Sequence, residues 1–294
     1  MIRFSLVMPT KGRTEDIAIY IDALLMQGRD DYELIVVDQN EDDRLVEILG
    51  RFAGRLPVTH IRSSVSKISH ARNLGLREAK GEIVSVPDDD CIYPPGALDH
   101  VARAFDEDPD LAILTGPSIN PDGTVGSGRF QTEGGPVEPG KVWTSMIEFN
   151  TWVRRSVMLA LGGFDEEMGL GTYLSSAEGP DFMLRAILAG HATRFDPSLK
   201  VIHPDKRQTN PALALARAAP YGRGLGFALR RHGVPASVWL TFMVRPLGGA
   251  LISLAKLDVA NAKYYGLTLV GRLQGFLRSD AGAGRVRAPM DGQP

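Results

Sequence analysis

The 294-residue chain has one cysteine, Cys91, which excludes an internal disulfide and any cysteine-rich metal site and makes a reducing compartment the simplest setting. It has no secretory leader pattern. Met1-Ile2-Arg3 runs into Phe4–Met8 and then Pro9, an apolar run too short for a signal core, so a cytoplasmic location is expected. It has no internal repeat. It also lacks a glycine-rich phosphate loop: the first apolar run continues as Met8-Pro9-Thr10-Lys11-Gly12-Arg13, which fits neither the P-loop nor the dinucleotide fingerprint. Phosphate charge must then be met by a metal and by lysine or arginine. Net charge is nearly absent, at −2, but it is split along the chain. Residues 1–184 carry 17 Lys/Arg against 30 Asp/Glu, whereas residues 185–294 carry 16 against 5. The basic C-terminal third suits an anionic partner such as a membrane surface or nucleic acid, or it complements the acidic part of the same chain.

What is present is a globular composition, 44% hydrophobic and 23% charged, enough to build a sizeable core. Short apolar runs at Phe4–Met8, Glu33–Asp38, Val58–Ile61 and Glu82–Val86 read as strands. Between them, residues 14–27, a segment through Leu45, Ile48, Leu49 and Phe52, and residues 69–80 have helical spacing. This alternation predicts an α/β fold with a mostly parallel sheet flanked by helices. In such sheets ligands bind outside the carboxyl ends of the strands, where Pro9-Thr10, Asp38 and Asp88-Asp89-Asp90 all fall. A Gly/Pro-rich stretch, 116–140, reads as a long loop or lid. Beyond it come a short helix over 178–189, a strand pair around 193–195 and 200–202, and a helical extension over 211–232, about 236–256 and 260–278. Residues 281–294 are expected to be disordered.

Three consecutive aspartates at the end of a buried strand are costly unless a cation cancels their charge. Hard oxygen ligands favour Mg²⁺ or Mn²⁺, which bind one or two carboxylates and complete their shell with phosphate oxygens and water. Lys67 and Arg72, near the start of the helix before the aspartates, are the candidates to meet phosphate.

Leu6–Arg13, Ile35–Asp38 and Ala71-Arg72-Asn73-Leu74-Gly75 with the strand into Asp88-Asp89-Asp90, an Asp-x-Asp motif, together resemble the inverting family 2 glycosyltransferases of GT-A fold, over about residues 1–205. Tyr93–Leu98 and Gly162-Gly163-Phe164-Asp165-Glu166, similar to an acceptor-side signature, complete the resemblance. It implies a Rossmann-like GT-A domain over 1–205, with 206–280 as a helical extension. It also implies a nucleoside diphosphate sugar donor and a glycan or glycolipid acceptor. Pro9, Thr10, Asp38, Lys67, Arg72, Asp88 and Asp89 would then bind the donor, and Asp90 with His203 would hold the metal.

Two positions depart from the family's pattern. Gln39 stands where relatives often have a second acidic residue, which leaves the donor base open. Relatives commonly show Glu-Asp-x-Asp at a helix start, with the first aspartate as base; here the run is Glu178-Gly179-Pro180-Asp181, and Gly179 occupies that place. Glu178 and Asp181, three apart on a helical turn, are the expected base and its support. Two other classes stay open, a nucleotidyltransferase making activated sugars and a non-catalytic nucleotide- or sugar-binding module. The apolar run Val238–Val244 and Leu247–Leu257, broken by Arg245-Pro246, suits a helix lying in a membrane interface better than one crossing it, or a packed or dimerising helix. Partners beyond the donor and acceptor are thus expected to be a peripheral membrane contact through 211–278 or a second copy of the chain, and no nucleic acid. The location would then be cytoplasmic, on the inner face of the cell membrane.

Overall fold

The structure, a computed structural model, describes residues 1–126, 128–204, 210–278 and 288–290. The first strand, β1 (Phe4–Thr10), is buried along its whole length, as is β2 (Tyr32–Asp38) beside it. Both are apolar on two faces because helices cover each side, which suits parallel pairing. β3 (Val58–Arg62) adds to β2, and β4 (Ile83–Ser85) adds to the other side of β1, all parallel. The crossovers are α1 (Glu15–Leu25), α2 (Arg44–Gly50) and α3 (Ile68–Glu78).

After α4 (Ala97–Glu107) and β5 (Leu111–Thr115), two strands of the sheet run in the opposite direction, one inside it and one at its edge. Two short strands, β6 (Ser118–Ile119) and β7 (Gly135–Pro136), precede β8 (Thr151–Arg154), which is inserted antiparallel between β4 and β5. α5 (Arg155–Ala160), α6 (Glu178–Leu188) and β9 (Ala192–Phe195) follow, and the sheet order is β3-β2-β1-β4-β8-β5-β9-β7. β10 (Val201–Ile202) pairs with β6, not with β9. The expected strand pair over 193–202 is therefore corrected: each partner belongs to a different sheet, because β9 fills the slot beside β5. The stretch expected to be a loop over 116–140 contains β6 and β7.

The insertion of β8 matters for the site. Since β8 runs against its neighbours, its first residues lie at the edge where β1, β2 and β4 end. Two 3-10 turns, Pro139–Thr144 and Glu148–Asn150, lead into it. The second is fixed by the Tyr93 hydroxyl, which donates to the Phe149 carbonyl at 2.9 Å, and by the Thr151 hydroxyl, which donates to the Ile147 carbonyl at 2.7 Å.

Among the described residues three helices follow β10: α7 (Pro211–Arg231), α8 (Ala236–Ala255) and α9 (Val259–Phe276). α7 and α9 meet backbone to backbone. A Cβ built on Gly226 would lie 2.0 Å from the Arg272 carbonyl oxygen, and one on Gly275 would lie 1.9 Å from that of Arg223. Only glycine permits this approach. α7 also presses on the loop before α6: a Cβ on Gly224 would lie 2.2 Å from the Ser176 carbonyl oxygen, and the Ser176 hydroxyl donates to the Tyr221 carbonyl at 2.7 Å. Residues 205–209, where the catalytic domain was expected to end, lie outside the described residues. So does most of the 281–294 tail; within it, the Met290 amide donates to the Leu159 carbonyl at 2.9 Å.

Candidate active site

Four elements deliver polar side chains to the carboxyl edge of the parallel strands. β1 ends at Thr10 and β2 at Asp38, opposite one another in register. Pro9 is buried in β1 against Val37. Asp38 is fully buried: its Oδ1 accepts from the Asn40 amide at 2.8 Å and side chain at 2.7 Å, and its Oδ2 lies 3.0 Å from His60 Nε2. Gln39 turns away and donates to the Val65 carbonyl. Lys67, just before α3, pairs with Glu167 at 3.0 Å.

The aspartates after β4 divide their partners. Asp89 accepts from the Thr10 hydroxyl at 2.7 Å and meets Arg13 Nε at 2.8 Å. Burial nevertheless pushes its carboxyl up to about 6, against the opposing pull of Thr10 and Arg13. Asp90 sends Oδ2 to Arg13 Nη2 at 2.7 Å, while its Oδ1 lies 3.2 Å from His203 Nε2. Asp88 Oδ2 is 3.8 Å from the same imidazole nitrogen. His203 is pinned there by backbone bonds, its amide donating to the Ile119 carbonyl at 2.9 Å, and by Phe149, whose ring stacks on the imidazole at 4.4 Å.

Asp88, Asp90 and His203 thus present ligand atoms all within 4.8 Å of one another. An octahedral ion with oxygen ligands at about 2.1 Å holds neighbouring ligand atoms about 3 Å apart, so the three positions suit a small divalent cation after slight closure. The His203 Nδ1 atom is buried with no hydrogen-bond partner among the described residues. Two carboxylates and an imidazole form a donor set able to hold a divalent metal ion. Cys91, directly after the aspartates, is fully buried, and burial pushes its thiol well above the ordinary range, with Asp88 and Asp90 adding to the effect.

Arg72, buried on α3, links the aspartates to α6. Its Nη1 is 2.8 Å from Glu178 Oε1 and its Nη2 is 3.5 Å from Asp88 Oδ1. Gly75, one turn on, sets this reach: a Cβ there would lie 2.4 Å from Val7 Cγ1, so only a glycine lets α3 sit so close to β1. Glu178 opens α6 behind Ala177, which has a left-handed φ of 67°. Asp181 points elsewhere. It is fully buried and meets His232 Nε2 at 2.8 Å, Arg185 Nε at 3.0 Å and Arg231 Nη1 at 3.2 Å. Burial opposes its ionisation, yet these three groups outweigh burial and hold its pKa at about 2. Asp165 of the acceptor-side signature pairs with the same Arg231 at 2.6 Å.

One acidic residue of the site was not anticipated. Glu148, on the 3-10 turn before β8, is half-buried and faces Glu178 and Arg72. Burial, and then the negative charge of Glu178, push its carboxyl up to about 7. No periodicity marks it, because its place at the strand edge follows from the reversed direction of β8.

The architecture is the GT-A fold. Among solved structures, the chain is similar to the mannosyltransferase PcManGT from Pyrobaculum calidifontis in complex with GDP-Man and Mn²⁺, with a TM-score of 0.64 and 16% identity, covering 94% of this chain and 87% of that one. It is also similar to Staphylococcus aureus TarS 1–349 in complex with UDP-GlcNAc, with a TM-score of 0.59 and 18% identity, covering 94% and 93%. The profile described as glycosyl transferase family 2 matches residues 5–160, more than half of the sequence, and the chain belongs to that family. In sequence it is 26% identical over 193 residues to an uncharacterized glycosyltransferase of Haemophilus influenzae, covering 62% of this chain and 61% of the relative. It is 30% identical over 115 residues to the dolichol-phosphate mannosyltransferase of Pyrococcus furiosus, covering 38% and 32%. The matches therefore span less than two thirds of these relatives.

Proposed function

We propose that this chain is a metal-dependent, inverting glycosyltransferase that moves a hexosyl or deoxyhexosyl unit from a nucleoside diphosphate sugar to a glycan or lipid-linked saccharide. The observation that carries this reading is the cluster of Asp88, Asp90 and His203 at the end of β4, with Arg72 beside it. Bound there, Mn²⁺ or Mg²⁺ supplies positive charge against the leaving diphosphate. Thr10 and Arg13 hold Asp89, and so fix the aspartate run, while Arg72 adds a cation at the same edge. Pro9, Thr10, Asp38 and Lys67 border the donor's nucleoside, and Asp89 its ribose or phosphate. Inversion by one displacement also needs a carboxylate to take the acceptor proton, and Glu178 and Glu148, close enough to feel each other's charge, are the candidates for it. Asp181, held by Arg185, Arg231 and His232, supports Glu178 through the first turn of α6.

Asp90→Ala is expected to abolish Mn²⁺-dependent binding of nucleoside diphosphates, read by calorimetry with a panel of bases; unchanged binding would refute the metal site. Released nucleoside diphosphate supports transfer. Pyrophosphate would point to a nucleotidyltransferase, and neither product to a binding module.

A membrane-linked acceptor fits a second observation. α8 is long and apolar enough to cross a membrane by length and composition, but it carries Arg245-Pro246 at its centre. Leu240, Leu247, Leu251, Ile252 and Leu254 are all about half exposed or more. We infer peripheral attachment at the inner face of the cell membrane, tested by co-sedimentation with anionic vesicles; a second copy of the chain covering α8 is the alternative, and a dimer in solution that ignores vesicles would favour it.

A further inference from the structure

Most carboxylates at the strand edge are already engaged. Asp88 and Asp90 belong to the metal cluster, and Asp89 is held by Thr10 and Arg13. Asp38 is sealed beneath Asn40 and His60, and Asp181 lies among His232, Arg185 and Arg231. Glu178 is locked to Arg72 at 2.8 Å. Glu148 differs: among the described residues no lysine, arginine or histidine pairs with it.

Its position is nevertheless tightly specified. Tyr93 and Thr151 bind the carbonyls on either side of it, and its neighbour Phe149 stacks on the cluster's histidine. Gly179 faces it across the site. A Cβ built on Gly179 would lie 2.5 Å from both Glu148 Cγ and Glu148 Oε1, and 2.5 Å from Met146 Cε. The Glu148 carboxyl therefore fills the space that any side chain at 179 would take. The start of α6 leaves a gap at Gly179, and a different element fills it with a carboxylate.

We propose that Glu148 is the group that takes the acceptor's proton in the sugar transfer. This rests on the glycosyltransferase reading. The acceptor O–H proton passes to a Glu148 oxygen, and the freed oxygen pair forms the bond to the anomeric carbon. The bond from that carbon to the diphosphate breaks, and its electron pair leaves on the diphosphate oxygen. Glu148 then returns the proton to water. The charged groups facing it are Glu178 from α6, Arg72 from α3 and Asp88 after β4, and Tyr221 of α7 shares their field. Burial first, and then the negative charge of Glu178, raise its proton affinity against the pull of Arg72 toward neutral pH, the range in which a base is both free and strong enough to act.

The test uses the full chain with Mn²⁺ and either UDP-GlcNAc or GDP-mannose, with water as acceptor, and measures both nucleoside diphosphate binding and its release from the donor. Glu148→Gln should bind the nucleoside diphosphate within about threefold of the unaltered chain and release it at least about 100-fold more slowly, the loss expected for a general base. Glu148→Asp, which keeps the charge but shortens the reach, should recover part of kcat with KM unchanged, and it keeps the test decisive if the glutamine variant melts. Release by Glu148→Gln within a few fold of the unaltered rate would overturn the proposal, as would a glutamine variant that loses binding and turnover together while remaining folded. Failure of the transfer reading itself would look different, because the unaltered chain would then release no nucleoside diphosphate from either donor, and the assignment of Glu148 would fall with it.

Discussion

Asp181 shows how one buried charge can tie distant parts of the chain together. Its partners come from its own helix, at Arg185, and from the far end of α7, at Arg231 and His232. Removing one partner of a buried ionic cluster leaves the others uncompensated, typically at a cost of about 3–5 kcal/mol. Asp181→Asn is expected to lower the unfolding free energy by an amount in that range at neutral pH, measured by urea denaturation. The folded pKa of about 2 lies below the ordinary 3.8, so the contribution is complete above the ordinary value and is lost as pH falls through the folded one. The unaltered protein should therefore lose this stability between about pH 4 and pH 2, and Asp181→Asn should lack that component of the acid transition. Equal acid sensitivity in both proteins would contradict the assignment.

At the scale of elements, the glycine seam between α7 and α9 makes a prediction whose sign depends on which effect is larger. Gly→Ala inside a helix normally gains about 1 kcal/mol through backbone propensity. At Gly226 the added methyl would lie 2.0 Å from a backbone carbonyl, so the helices must separate, and such overpacking costs about 1–3 kcal/mol. Gly248, in α8, has nothing within 4 Å of its Cβ position. Thermal melting should fall for Gly226→Ala and hold or rise for Gly248→Ala; two equal shifts would mean the seam is looser than described.

The same scale shows what could be read from sequence. β1, β2 and β4 with their helices were legible because each strand is centred on a buried apolar run bounded by turn residues, and the aspartates follow one of them directly; β3, Val58–Arg62, was legible from its β-branched residues between turns rather than from such a run. β8 carried no such signal. Its four residues, Thr151–Arg154, form a short run whose direction is decided by the neighbours it finds, β4 and β5, rather than by its own pattern. That is why Glu148 was missed. The spacing of Glu178 and Asp181 correctly put both in the first turn of α6, but packing sends them apart, Glu178 to α3 and Asp181 to α7. The pairing of β10 with β6 rather than β9 is a choice between edges that local sequence does not encode.

For the whole molecule, the opposite charges of the two parts of the chain are partly cancelled within it, as Arg231 meets Asp165 and Asp181. Other cations stay at the surface, including Arg245 and Lys256 on and after the exposed apolar face of α8. A membrane interface would bury that face and bring these charges to anionic headgroups. The protein is expected to sediment with anionic vesicles at low ionic strength and less so at high salt. A Leu251→Asp, Leu254→Asp double variant should stay in solution. Full recovery of the unaltered protein in the supernatant at low salt would refute the attachment.

The buried thiol beside the aspartates has a practical consequence. Cys91 has no accessible surface and an unreactive, protonated sulfur, so the native chain is effectively blank to thiol-directed dyes and spin labels. A single cysteine placed on the outer face of α8 or on the turn carrying Glu148 would be the one site to take a probe, with no need to remove the native cysteine first. The membrane face and the active-site turn can each be observed separately in otherwise unaltered protein.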